Sequence, residues 1–259
     1  MKIAITGKGG VGKTTLSGLL ARLYAAEGRT VLAVDADPDA NLASALGIPP
    51  EKAAQALPLA EQSDMIEERT GSRPGAPGGM FSINPKVDDI PDTYGIRHEG
   101  VRLLIMGKSK EAAAGCYCPE HVLLRRLVSH LILRHDEVVI LDMEAGIEHL
   151  TRGTAGSVDA FIVVVEPGQR SMQTARQIER LALGLGVKSV FVVGNKIQRE
   201  TDEAFIKDHL SGMKFLGFMR YAADTVQADL DGRSAYDASP GAVEEAKVIK
   251  AALDALLKK

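Results

Sequence analysis

A chain of 259 residues, 45% hydrophobic and 25% charged, has the composition of one large globular domain with a sizeable core. A formal charge of −3 and a 4% aromatic content without any Trp argue against nucleic-acid binding by a basic surface or by base-stacking platforms. No apolar run reaches membrane-spanning length, and two cysteines imply no disulfide framework. The first residues already read as a strand, which leaves no room for a signal peptide, so a cytoplasmic protein is expected.

The run Ile3-Ala4-Ile5-Thr6 predicts a buried strand, and Leu16, Leu19, Leu20 and Leu23 predict one face of a helix that stops at Gly28. Between them lies Gly7-Lys8-Gly9-Gly10-Val11-Gly12-Lys13-Thr14-Thr15, with the spacing of a phosphate-binding P-loop. Glycines let the backbone wrap a phosphate and turn its N–H groups inward, and the helix start aims its positive end at the anion. Gly9, Gly10, Val11, Gly12, Lys13, Thr14 and Thr15 are therefore the candidate nucleotide contacts. Lys13 reaches the β- and γ-phosphates, and the Thr14 hydroxyl ligates Mg²⁺. Lys8 is not required by the motif. A second cation beside Lys13 makes sense only opposite a further negative charge.

A second buried strand, Thr30–Val34, ends in Asp35-Ala36-Asp37-Pro38-Asp39-Ala40-Asn41. Carboxylates at the C-terminal end of a parallel strand face the nucleotide crevice, where such a group can orient a water or hold Mg²⁺; an acidic turn is the alternative. Residues 48–68 read as short alanine-rich helices and 69–79 as a loop. Met80–Asn84 and Val87–Ile90 read as short strands or edge segments, before Val101–Met106 returns to the core. This excursion is too short for a second domain, so residues 1–259 are expected to form a single one.

Next comes Gly115-Cys116-Tyr117-Cys118-Pro119-Glu120-His121, with Pro119 and Glu120 suited to a helix start. Val122, Leu123, Leu127, Val128 and Leu131 supply the apolar face of that helix. At a helix N-terminus the dipole favours thiolate, the metal-binding form. Cys116 and Cys118 supply two soft ligands where a closed site needs four, so a two-fold dimer would supply them twice. The ion would be Ni²⁺ or Zn²⁺, with His121 nearby. Two idle thiols are the alternative.

Val138–Asp142 is the next core strand, with Asp142 at the position where a carboxylate holds Mg²⁺ through water, and Gly146 follows as a hinge. Phe161–Val165 and Ser189–Val193 are further strands, flanking a helix over 171–185. Asn195-Lys196 follows the second, where an amide can read an adenine edge and a lysine stem can pack on the base. No aspartate stands two residues after Lys196, which favours ATP over GTP. Phe215–Met219 is the last strand, and a helix over 241–257 carries mixed charge opposite its apolar stripe. Basic residues with bulky aromatics, which membrane binding requires, are missing there. The alternation of strands and helices predicts an α/β fold, a mostly parallel sheet with helices on both faces.

The loop GKGGVGKTT resembles the deviant Walker A of the MinD/ParA and nitrogenase iron-protein group of P-loop ATPases. That resemblance implies a nucleotide-sandwich homodimer in which Lys8 crosses to the partner's nucleotide, and a hydrolytic role for Asp37. It also implies that Asn195 and Lys196 border the base. The runs Gly-Cys-x-Cys-Pro-Glu-His, Asp142–Leu150, Asn84–Val87 and Glu166–Ser171 are similar to the nickel-insertion accessory ATPases of carbon monoxide dehydrogenase, the CooC type. The maturation ATPase of acetyl-CoA synthase shares them. The function so implied is ATP-driven nickel insertion into one of these enzymes, with ATP/ADP, Mg²⁺ and Ni²⁺ or Zn²⁺ as ligands. The alternative is a ParA/MinD-type spatial-organisation ATPase.

Overall fold

The computed structural model describes residues 1–37, 39–74, 80, 82–107, 122–123, 126–130, 137–144 and 158–257. The strands are β1 (Lys2–Thr6), β2 (Val31–Asp35), β3 (Ile96–His98), β4 (Val101–Ile105), β5 (Val138–Asp142), β6 (Ala160–Val165), β7 (Val190–Ile197) and β8 (Lys214–Arg220). Among the described residues they form one eight-stranded sheet in the order β3-β4-β2-β5-β1-β6-β7-β8. Only the β3–β4 pairing is antiparallel. Every residue of β1, β2, β5 and β6 is buried, which is why these strands read as continuous apolar runs.

Successive side chains point to opposite faces, and each face has its own cover. Ile3, Ile5, Val31, Ala33, Val138 and Ile140 meet α1 (Lys13–Ala26) and the C-terminal helix. Ala4, Leu32, Val34, Val139 and Leu141 face the other way, towards Ile66, Ile90, Leu123 and Leu127. In α1, Leu16, Leu19, Leu20 and Tyr24 are almost fully buried, each such side chain contributing about 1.5–3 kcal/mol. The helix ends as predicted at Gly28, whose φ is 77° and whose N–H donates to the Ala25 carbonyl.

The excursion differs from expectation. It holds α2 (Leu42–Ala45), α3 (Pro50–Ala53), a 3₁₀ turn at Leu59–Glu61 and α4 (Ser63–Thr70). The strands expected over Met80–Asn84 and Val87–Ile90 are not formed by the described residues there, and Ile90–Tyr94 is instead helix α5. Pro91 sits in its first turn, where the missing N–H costs nothing, and Ile90 and Val87 reach the core as separate anchors. The edge strand is β3, returning to β4 through Glu99 (φ 46°) and Gly100 (φ 75°), both left-handed as a two-residue hairpin requires.

On the far side, α6 (Gln169–Gly184) and α7 (Glu200–His209) cover β6 and β7. The chain ends with α8 (Ala223–Leu230), α9 (Ala235–Ala238) and α10 (Pro240–Leu257). No helix among the described residues is long and apolar enough to cross a membrane. Because β1 lies between β5 and β6 while the chain runs first to β2, the strand order reverses beside β1. A crevice therefore opens at the C-terminal strand ends, immediately over the P-loop.

Candidate nucleotide site

The loop after β1 is moulded by its neighbours. Gly7 presses on β6, where an added Cβ would stand 2.4 Å from the Val164 carbonyl oxygen. Gly12 caps α1 at φ 93°, and a Cβ there would meet the Asn195 amide nitrogen at 2.2 Å. That nitrogen donates to the Val11 carbonyl at 2.8 Å, so the buried Asn195 holds the loop from below. Lys13 is 6% exposed, with its ammonium 3.8 Å from an Asp37 carboxylate oxygen. Both side chains line the cleft over the P-loop.

Two strand-end carboxylates lie side by side there. Asp35 and Asp142 are fully buried and directly opposite in the β2–β5 register. Asp35 accepts the Leu42 N–H at 2.9 Å on one oxygen and the Asp37 N–H at 3.3 Å on the other. It thus pins the loop that carries Asp37 and starts α2. Burial pushes its carboxyl up to about 7, against the pull of the Leu42 N–H. Burial also lifts Asp142, to about 6, and the neighbouring Thr14 and Ser17 hydroxyls moderate the rise. One Asp142 oxygen accepts from Ser17 at 3.1 Å, while the other is buried with no hydrogen-bond partner. A buried carboxylate oxygen left open beside the Thr14 hydroxyl suits a hydrated Mg²⁺, which takes few protein oxygens and keeps its waters. Thr14 and Asp142 therefore fit that ion.

The cleft above has a volume of about 870 Å³. Its walls include Gly9–Gly10, Gly12–Thr15, Asp37, Asp39, Asn41 and Glu144, together with Thr225, Asp229 and Arg233 from α8 and the turn after it. The last three have no local sequence signal; the return of the chain after β8 brings them over the P-loop. A smaller pocket of about 370 Å³ beside it is lined by Glu166, Lys196, Arg199 and Tyr221 among others. Here β7 runs on past the expected end through a register shift between Gly194 and Ile197, and Lys196 adopts a left-handed φ of 57°. Its ammonium donates to the Gly10 carbonyl at 2.6 Å and lies 3.5 Å from Glu166. The other Glu166 oxygen is 3.7 Å from Lys8. Cys116, Cys118, His121 and Gly146 lie outside the described residues.

Residues 2–235 match the CobQ/CobB/MinD/ParA nucleotide binding domain family. The chain is 47% identical over 253 residues to the carbon monoxide dehydrogenase accessory protein CooC of Rhodospirillum rubrum, covering 98% of this chain and 96% of that protein. It is also 47% identical over 236 residues to an ATP-binding protein of Methanocaldococcus jannaschii, covering 90% of each. Among solved structures, the MinD cell division protein of Aquifex aeolicus superposes with a TM-score of 0.66 at 19% identity, covering 100% of this chain and 98% of that one. The Mg-ADP complex of the septum site-determining protein MinD from Pyrococcus horikoshii gives 0.69 at 20% identity, covering 99% and 97%. These two bear on the fold alone.

Proposed function

We propose a function on the premise that this chain belongs to the CobQ/CobB/MinD/ParA nucleotide-binding family and, within it, to the group of the accessory protein CooC. It is a P-loop ATPase that serves as an accessory factor to a carbon monoxide dehydrogenase or acetyl-CoA synthase, delivering nickel as cargo. The observation that carries the enzymatic half is the meeting of Lys13, Asp37 and the open oxygen of Asp142 at adjoining strand ends. The near full-length likeness to a carbon monoxide dehydrogenase accessory protein supports the client.

In this reading, the P-loop N–H groups and Lys13 hold the β- and γ-phosphates. Thr14, Asp142 and Asp37 would hold Mg²⁺, which would supply positive charge to the phosphates. Asp37 aims water in line with the γ-phosphorus and leaves Lys13 to the phosphate oxygens. By the family resemblance, Asn195 and Lys196 border the base. Two chains close face to face over ATP, with Lys8 of each reaching the partner's phosphates. Cys116 and Cys118 of both chains then hold one soft ion between them, and hydrolysis reopens the pair for delivery.

The metal half has its own test. Sizing by ultracentrifugation, with metal analysis, should find one Ni²⁺ or Zn²⁺ per two chains, and metal should favour the dimer by mass action. Replacing Cys116 and Cys118 together by serine should abolish metal-induced dimerisation while ATP binding survives. A double variant that still binds one ion per dimer at wild-type affinity would remove the cysteines from the reading.

A further inference from the structure

We propose that Glu166 is a positioning residue for Lys8, holding that lysine on its own chain and so setting how readily two chains close over ATP. The proposal rests on the sandwich-dimer reading above.

The geometry begins at the end of β6. The Glu166 N–H donates to the buried Ser171 hydroxyl at 3.1 Å, and the Ser171 N–H returns to the Gly168 carbonyl. This turn fixes where the Glu166 side chain leaves the sheet. Thr6 is in register with Val163 on β6, and Gly7 packs against Val164, so Lys8 necessarily emerges beside Glu166. On the other flank Val165 pairs with Gly194, and the shift in β7 turns Lys196 back towards the same carboxylate. One carboxylate therefore faces two ammonium groups, at 3.7 and 3.5 Å.

The two cations are not equivalent. Lys196 is tied to the Gly10 carbonyl as well and stays on its own chain. Lys8 has Glu166 as its only partner among the described residues, and its side chain is 40% exposed. A part-exposed ammonium held by one ion pair is free to exchange that pair for a stronger phosphate contact. Closing the dimer breaks the Lys8–Glu166 pair in both chains. Glu166 thus sets a threshold that ATP on the partner must overcome, and it suppresses closure over weaker anions.

The test measures ATP hydrolysis per chain against protein concentration at saturating Mg-ATP, with ultracentrifugation in a non-hydrolysable ATP analogue. In wild-type protein the specific activity should rise with concentration as dimers form. Glu166→Gln removes the hold on Lys8, and the concentration at half-maximal activity should fall by roughly three- to tenfold, two exposed ion pairs being released per dimer. Glu166→Asp keeps the charge but retracts it, and should fall between the two. Lys196→Met leaves Glu166 entirely to Lys8 and should raise the midpoint, a direction that mere loosening of the loop would not produce.

A Glu166→Gln midpoint equal to or above wild type overturns the proposal while leaving the sandwich dimer standing. So does a Lys196→Met midpoint that falls with it. Activity per chain that is independent of concentration in the wild type overturns the dimer reading and this inference together. Should Glu166→Gln not fold, judged by its thermal melt, the same criteria apply to Glu166→Asp.

Discussion

A charge at the end of a buried strand is costly unless something answers it, and each carboxylate of this cleft is answered differently. Asp35 is answered by two backbone N–H groups, so its work is structural: it shapes the loop that presents Asp37. Asp35→Ala should therefore cost about 1–3 kcal/mol in urea unfolding, by leaving the buried Leu42 N–H without a partner. It should also slow ATP turnover through misplacement of Asp37. Asp37 is answered by the Asp39 N–H on one oxygen and by the Lys13 ammonium, 3.8 Å away, on the other. Asp37→Ala should keep ATP affinity, accumulate the closed dimer and lose turnover by about 100-fold or more, the range for a group that orients a nucleophile. Lys13→Ala should weaken ATP binding in calorimetry by about 10- to 100-fold, the loss of a charge-assisted contact. Unchanged affinity would contradict the phosphate site.

At the scale of elements, the P-loop is one wall of a cradle completed by β6 and β7. Gly12 has no room for a methyl group because Asn195 stands behind it, and its φ of 93° is strained for any other residue. Gly12→Ala should destabilise the protein by about 1–3 kcal/mol and weaken ADP binding, because the Asn195–Val11 hydrogen bond must move. A melting temperature and an ADP isotherm equal to wild type would show that the loop relaxes at no cost. The extension of β7 through Lys196 belongs to the same cradle. It spends a left-handed residue to turn a lysine over Gly10, a strain that an ordinary strand end would avoid.

At the scale of the whole molecule, the proposed closure of two chains over ATP would link ligand binding to assembly. Mg-ATP at about 100 times its dissociation constant should raise the stability of the folded chain by about 2.7 kcal/mol, read as a shift in thermal melting. Closure over ATP should add a dependence of that melt on protein concentration. Lys8→Ala should keep the first effect and lose the second, since Lys13 lines the cleft and Lys8 does not. A Lys8→Ala protein that hydrolyses ATP normally as a monomer would exclude the sandwich dimer.

Local chemistry by itself determined the P-loop, the strands that end in Asp35 and Asp142, and the helix that starts at Lys13. Each is written in contiguous residues, as a buried apolar run, a glycine spacing or a helical stripe. The excursion was less legible. Pro91 and the Glu99-Gly100 turn outweigh a short apolar pattern, so Ile90–Tyr94 became a helix and Ile96–His98 the edge strand. Only the tertiary structure decided that Asn195 stands under Gly12 and that Thr225, Asp229 and Arg233 roof the cleft. The same holds for Glu166, which faces Lys8 and Lys196 together. Apart from Glu166 and Lys196, which neighbouring strands bring together, those contacts join residues more than a hundred positions apart. They follow from strand order and register, which no local periodicity encodes.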